Sequence, residues 1–150
     1  MKKVLGINEL YSSGSPVEYT CYGLGSCIGL FINDRVKGLS GGAHIALPST
    51  AVESEFIDAE KMIAELLEQL SEHGSDLQTL RAKVTGGAQV LESGLNIGRQ
   101  NIDAVLRQLT DKRIFIAATD VGGKISRTAR FNSESGEVKI STSEQKTYII

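Results

Sequence analysis

Helical spacing of apolar residues is confined to two stretches in the middle of the chain, and short β-type runs fill most of the rest. Before residue 46 these runs cover 4–10, 17–22, 27–32 and 37–45, divided by turn clusters such as Ser12-Ser13-Gly14-Ser15-Pro16 and Asn33-Asp34-Arg35. Thr50 and Glu53 have capping-box spacing, which predicts a helix starting there or slightly later and running to about residue 72, before Gly74. Ala59, Ile63, Leu66, Leu67 and Leu70 form its buried stripe. Its other face carries Glu53, Glu55, Asp58, Glu60, Glu65, Glu68, Glu72 and Asp76 against Lys61, which reads as a solvated face or as a surface for a partner. A strand over 80–85 runs into Gly86-Gly87, and a second helix over 98–109 buries Ile102, Val105, Leu106 and Leu109. Strands over 113–119, 126–131 and 137–142 follow, with Tyr148-Ile149-Ile150 as a last edge. Strands outnumber helices, so the pattern predicts an α/β or α+β layered domain with a mixed β-sheet and two main helices, not a doubly wound one.

The chain has 150 residues, with Pro only at positions 16 and 48 and no linker composition, repeat or low-complexity segment, so one domain over residues 1–150 is expected. Sixteen Lys and Arg against eighteen Asp and Glu leave a net charge of −2, without the basic excess that nucleic acids or anionic membranes attract. No run approaches the roughly 18 apolar residues of a membrane-spanning helix. Asn8 and Glu9 interrupt the apolar start after Met1-Lys2-Lys3, so no signal peptide is read and a cytoplasmic protein that is not an integral membrane protein is expected.

Most candidate motifs fail on spacing. Gly23-Leu24-Gly25-Ser26-Cys27-Ile28-Gly29 places its third glycine one residue too late for a dinucleotide turn, and β-type residues follow it instead of a helix. Gly123-Lys124 lacks the first glycine of a phosphate loop, because residue 118 is Ala118, and Ile125 stands where Ser or Thr is needed. Cys21, Cys27, His44 and His73 do not have the spacing of a metal site, so neither metal nor cofactor is expected. Cys21 and Cys27 could meet across a glycine-rich hairpin as a transient disulfide, although no Cys-x-x-Cys supports it.

What remains is Cys27 with His44. Gly25-Ser26-Cys27 sets a thiol after a small, flexible turn where main-chain N–H groups can face a carbonyl oxygen, and Gly41-Gly42-Ala43-His44 sets an imidazole on a neighbouring strand. A thiol near pKa ~8.5 is only a few per cent ionised at neutral pH, and an adjacent imidazole acting as general base contributes about 10²- to 10⁴-fold. Spacing alone leaves two readings open: a nucleophile with its base, or a core cysteine with a packed histidine.

Several motifs in fixed order resemble the CheD family of chemoreceptor glutamine deamidases. They are Gly23-Leu24-Gly25-Ser26-Cys27, Gly42-Ala43-His44-Ile45-Ala46-Leu47-Pro48, Gly86-Gly87-Ala88, Asn96-Ile97-Gly98 with Asn101, and Asp120-Val121-Gly122-Gly123 with Arg127. The resemblance implies a three-layer α/β sandwich that converts particular glutamines of methyl-accepting chemotaxis receptors to glutamate. It also implies a receptor methylesterase activity in some members and binding of a CheC-type phosphatase of the response regulator CheY. Carried over by position, Cys27 is the nucleophile and His44 the base and later acid. Ser26, Gly25, Gly86, Gly87, Gly122 and Gly123 become candidates for the oxyanion site and its wall, or simple tight-turn positions.

The third triad position departs from the family. A Thr usually stands six residues before the nucleophile; here it is Cys21, with Thr20 one residue earlier and on the opposite face of a strand. A thiol orients an imidazole less firmly than a hydroxyl, so reduced activity is expected. Lys124 and Ile125 also replace the Asn and Arg of the late glycine loop. Arg127 is read as a contact for an acidic receptor residue or as the partner of a local carboxylate. The competing expectation is a catalytically weak adaptor that binds a CheC-type phosphatase and receptors.

Overall fold

The computed structural model describes residues 1–49, 57–91 and 94–150. Its elements are β1 (Lys2–Val4), β2 (Leu10–Ser13), β3 (Glu18–Leu24), β4 (Ile28–Asp34), β5 (Leu39–Ile45), α1 (Ala59–Glu72), β6 (Leu80–Gly86), α2 (Ile97–Asp111), β7 (Phe115–Val121), β8 (Arg127–Asn132), β9 (Val138–Thr142) and β10 (Thr147–Ile149). The strands form two five-stranded sheets, ordered β1-β3-β8-β9-β10 and β2-β5-β4-β6-β7. Both are mixed: β1 runs parallel to β3 and β6 parallel to β7, the second pair through the crossover helix α2.

The second sheet is the middle of three layers. Its face towards the helices carries Ile28, Leu30, Ile32, Ala43 and Ile45, packed with Met62, Ile63 and Leu66 of α1 and Ile102 and Val105 of α2. The space between the sheets is filled by Leu5, Tyr19, Cys21, Leu24, Phe31, Phe131 and Ile140. Being covered on both faces, β4 and β5 are buried at every position, which is why they read as near-continuous apolar or small-residue runs. Glycines in β5 let the layers close: a Cβ on Gly41 would lie 2.6 Å from Leu66 Cδ1 of α1.

Two sequence expectations change. The run over 4–10 is not one strand: Asn8 adopts φ +65°, Glu9 N–H bonds the Gly6 carbonyl, and the chain leaves the first sheet at Val4 to enter the second at Leu10. Asp58 is not on a solvated face. It is buried as the N-cap of α1, its Oδ1 accepting the Lys61 N–H at 2.9 Å, while Thr50, Glu53 and Glu55 lie outside the described residues. Among the described residues no helix is long and apolar enough to cross a membrane.

Candidate active site

Cys27 closes the bend that carries the chain from β3 in the first sheet to β4 in the second. Gly29 pairs with His44 and Ile28 with Ile45, so Cys27 and His44 are diagonal neighbours at the end of the β4–β5 ladder. The thiol is half-buried against the inter-sheet cluster, and His44 is buried. No hydrogen bond links the two in the structure. Burial raises the Cys27 pKa above the ordinary thiol value, so its proton stays on sulfur at neutral pH.

His44 is held by main chain on three sides. Its N–H donates to the Glu9 carbonyl at 3.0 Å, and its carbonyl accepts from the Asn8 N–H at 2.9 Å. Its ring Nδ1 lies 2.9 Å from the Leu5 carbonyl oxygen, in a buried contact. A carbonyl only accepts, so Nδ1 carries the ring hydrogen and Nε2 of the neutral imidazole keeps a lone pair. The turn from β1 to β2, which broke the expected strand, is what brings Leu5 to this position.

Cys21 is fully buried in the inter-sheet core, its pKa pushed up to about 12 by desolvation first and by the nearby Cys27 thiol second. It is therefore a neutral thiol at working pH. The Leu5 carbonyl, not residue 21, supplies the acceptor on His44 Nδ1. The irregularity in the β3–β8 pairing falls between Cys21 and Leu24, after Cys21, so Cys21 still pairs with Ala129 and Thr20 with Arg130. Both cysteines are free.

The glycine loops brace this turn from below. Gly87 N–H donates to the Cys27 carbonyl at 2.9 Å, Ala88 N–H to that of Gly25 at 2.7 Å, and Gly122 N–H to that of Gly86 at 2.9 Å. Gly86 (φ +105°) and Gly87 (φ +70°) adopt backbone that glycine alone enters freely, and a Cβ on Gly86 would overlap the Cys27 carbonyl oxygen. With their N–H groups spent in this way, Gly87 and Gly122 have none left to offer an incoming oxygen. Among the described residues no acceptor takes the N–H of Ser26 or Cys27.

A cleft of about 250 Å³ opens beside the turn, between Gly25, Ser26, Ala88, Val90, Leu91 and Leu95, and the last three side chains are exposed. A roomier concavity, about 520 Å³ around Gly14, Asp34, Arg35 and Ser135, sits at the far end of β4 from Cys27.

Arg127 faces a local carboxylate. Its Nε lies 3.1 Å from Asp120 Oδ2, which also accepts the Tyr148 hydroxyl at 2.6 Å, and its guanidinium reaches the Gly86 carbonyl at 3.5 Å. The pair is mostly buried and stitches β8 and β10 of the first sheet to β7 of the second. Replacing Arg127 by Ala leaves Asp120 with a lone hydroxyl partner and is expected to lower stability by about 2 kcal/mol, read as a shift of the urea midpoint.

Asn101 joins the site from α2. Fully buried, it donates from Nδ2 to the Ser26 carbonyl at 2.8 Å and to the Ala46 carbonyl at 3.0 Å.

The family model described as "CheD chemotactic sensory transduction" matches residues 47–142. A Thermotoga maritima protein named "Chemoreceptor glutamine deamidase CheD" is 35% identical over 143 residues, covering 93% of this chain and 91% of its own. One of the same name from Halalkalibacterium halodurans is 36% identical over 151 residues, covering 94% and 93%. The chain belongs to the CheD family. A Methanosarcina mazei relative named "Probable chemoreceptor glutamine deamidase CheD 1" is 37% identical over 137 residues, spanning 89% of this chain and 62% of its own. In this CheD chain two residues that brace the candidate site, Asn101 and Leu5, differ in how far the sequence marks them. Asn101 is a polar residue on the apolar stripe of α2, beside Gly98, Ile102 and Val105, and that mismatch was a readable signal. Leu5 contributes a main-chain oxygen, for which side-chain identity gives none.

Proposed function

We propose that this chain is a cysteine-dependent protein-glutamine deamidase acting in the cytoplasm on chemotaxis receptors. The observation that carries the reading is the His44 ring, tied through Nδ1 to the Leu5 carbonyl beside the half-buried Cys27 thiol. His44 Nε2 takes the Cys27 proton as the sulfur attacks the glutamine side-chain carbonyl. The C=O electron pair moves onto oxygen, and the free N–H groups of Cys27 and Ser26 face the charge. The pair returns, the C–N bond breaks, and the imidazolium proton leaves with the amine as ammonia. The remaining γ-glutamyl thioester is attacked by water, which gives its proton to His44. The C–S bond then breaks, releasing glutamate and restoring the thiol. A receptor γ-methyl ester passes through the same thioester with methanol as the leaving group, so methylesterase activity belongs to the same site.

A chemoreceptor cytoplasmic fragment incubated with the protein, followed by peptide mass spectrometry, tests the reading. Particular glutamines are expected to become glutamates. The adaptor reading draws on the absence of the family's usual hydroxyl at position 21; it expects receptor or CheC-type phosphatase binding with every glutamine left intact.

A further inference from the structure

We propose that Asn101 is a positioning residue for the oxyanion site: from α2 it fixes the plane of the Ser26–Cys27 peptide and so aims the Cys27 N–H at the reacting carbonyl oxygen. The inference rests on the reading of Cys27 as the nucleophile. The carbonyl that Asn101 Nδ2 holds at 2.8 Å belongs to the very peptide whose N–H precedes the Cys27 side chain. No described peptide bond is cis, and in a trans peptide C=O and N–H point in opposite directions in one plane. Drawing the Ser26 oxygen towards the helical layer therefore turns the Cys27 N–H towards the inter-sheet side, where the Cys27 thiol packs.

Three further observations converge on this peptide. In the register that pairs Ile28 with Gly86, Cys27 falls opposite Gly87; Gly87 N–H donates to the Cys27 carbonyl, but the return bond from Cys27 N–H is not made. The reason is visible at α2, where a Cβ on Gly98 would overlap the Gly87 carbonyl oxygen: that oxygen points at the helix and away from Cys27. One turn along, the same helix face presents Asn101. The second Nδ2 bond, to the Ala46 carbonyl at 3.0 Å, anchors the amide at a second point and so fixes the direction of its bond to Ser26. Finally, Asn101 Oδ1 is buried with no partner among the described residues. A buried acceptor without a donor costs stability, so what the amide contributes here lies in the two carbonyls that its Nδ2 holds. A donor on the Ser26 carbonyl also polarises the peptide and strengthens its N–H as a hydrogen-bond donor.

The test compares two reactions of the same thiol in Asn101→Leu. Receptor glutamine conversion forms an oxyanion, whereas alkylation of Cys27 by iodoacetamide forms none. The expected result is a fall in kcat of about 10²- to 10³-fold, with KM and the alkylation rate unchanged. A peptide carrying a glutamate γ-aldehyde, whose thiol adduct carries the equivalent oxygen, should lose affinity in parallel with kcat. A kcat loss below about tenfold, an equal loss in alkylation rate, or a change confined to KM would each overturn the proposal. Should Asn101→Leu not fold, Asn101→Ala removes the same donor without added volume and is read identically. Failure of the underlying reading looks different: wild-type protein would leave receptor glutamines intact, or Cys27→Ala would still convert them. A dead Cys27→Ala beside a fully active Asn101→Leu refutes the positioning role alone.

Discussion

Cys27→Ala is expected to abolish glutamine conversion and leave the fold as it is. The side chain is half-buried in a bend outside both helices, and what the surrounding chain uses of residue 27 is its carbonyl, which accepts the Gly87 N–H. Alanine keeps that bond. The thiol alone can form the thioester, and without it only binding and oxyanion stabilisation remain, so the loss should be about 10⁴-fold or more. Ammonia release and peptide mass spectrometry read the activity, and a thermal melt reads the fold. Conversion near the wild-type rate would remove Cys27 from the mechanism.

His44→Ala is the second large effect, and pH dependence makes it specific. Loss of a positioned general base should cost about 10²- to 10⁴-fold at neutral pH. Burial holds the Cys27 pKa above the ordinary thiol value, so the variant begins with a protonated sulfur and no neighbour to take the proton. Its residual activity then follows the thiolate fraction. That fraction is small below the raised pKa and increases about tenfold per pH unit, so activity climbs with pH until the raised pKa is passed. Wild-type protein, with His44 taking the proton during attack, should show a much flatter rise. A His44→Ala variant whose loss is the same at every pH would mean that the imidazole does something other than remove this proton.

How much of this was legible beforehand depended on whether a feature lives in side-chain pattern or in main-chain placement. The α1 stripe of Ile63, Leu66, Leu67 and Leu70 announced its helix because it must bury one face at helical spacing. The β4 and β5 runs announced strands, and the structure adds that both of their faces are covered. The split of residues 4–10 did not show, because Asn8 takes its left-handed conformation inside a run whose flanking residues are β-compatible. Charge pattern alone puts Asp58 with the acidic face, because it ignores end positions, where a carboxylate is drawn to orphan N–H groups.

At the site, Cys27 and His44 could be picked out as a thiol and an imidazole beside glycines, and the family motifs sharpened the choice. Position 21 looked like a weakness from the sequence. The structure instead satisfies His44 Nδ1 with the Leu5 carbonyl, an acceptor every residue type carries and no sequence reading can single out. Gly86, Gly87, Gly122 and Gly123 stood out, but whether their N–H groups faced a substrate or the chain itself depended on bonds such as Gly87 to Cys27.

The central claim is that glutamine is converted through a thioester on Cys27, and trapping that thioester tests it most directly. Conversion of a receptor fragment run in hydroxylamine should yield the γ-hydroxamate at the same positions that otherwise become glutamate, because hydroxylamine competes with water for the acyl group. The product should vanish in Cys27→Ala. Glutamate as the sole product at every hydroxylamine concentration, formed at an undiminished rate, would contradict the account and point to direct attack of water on the amide.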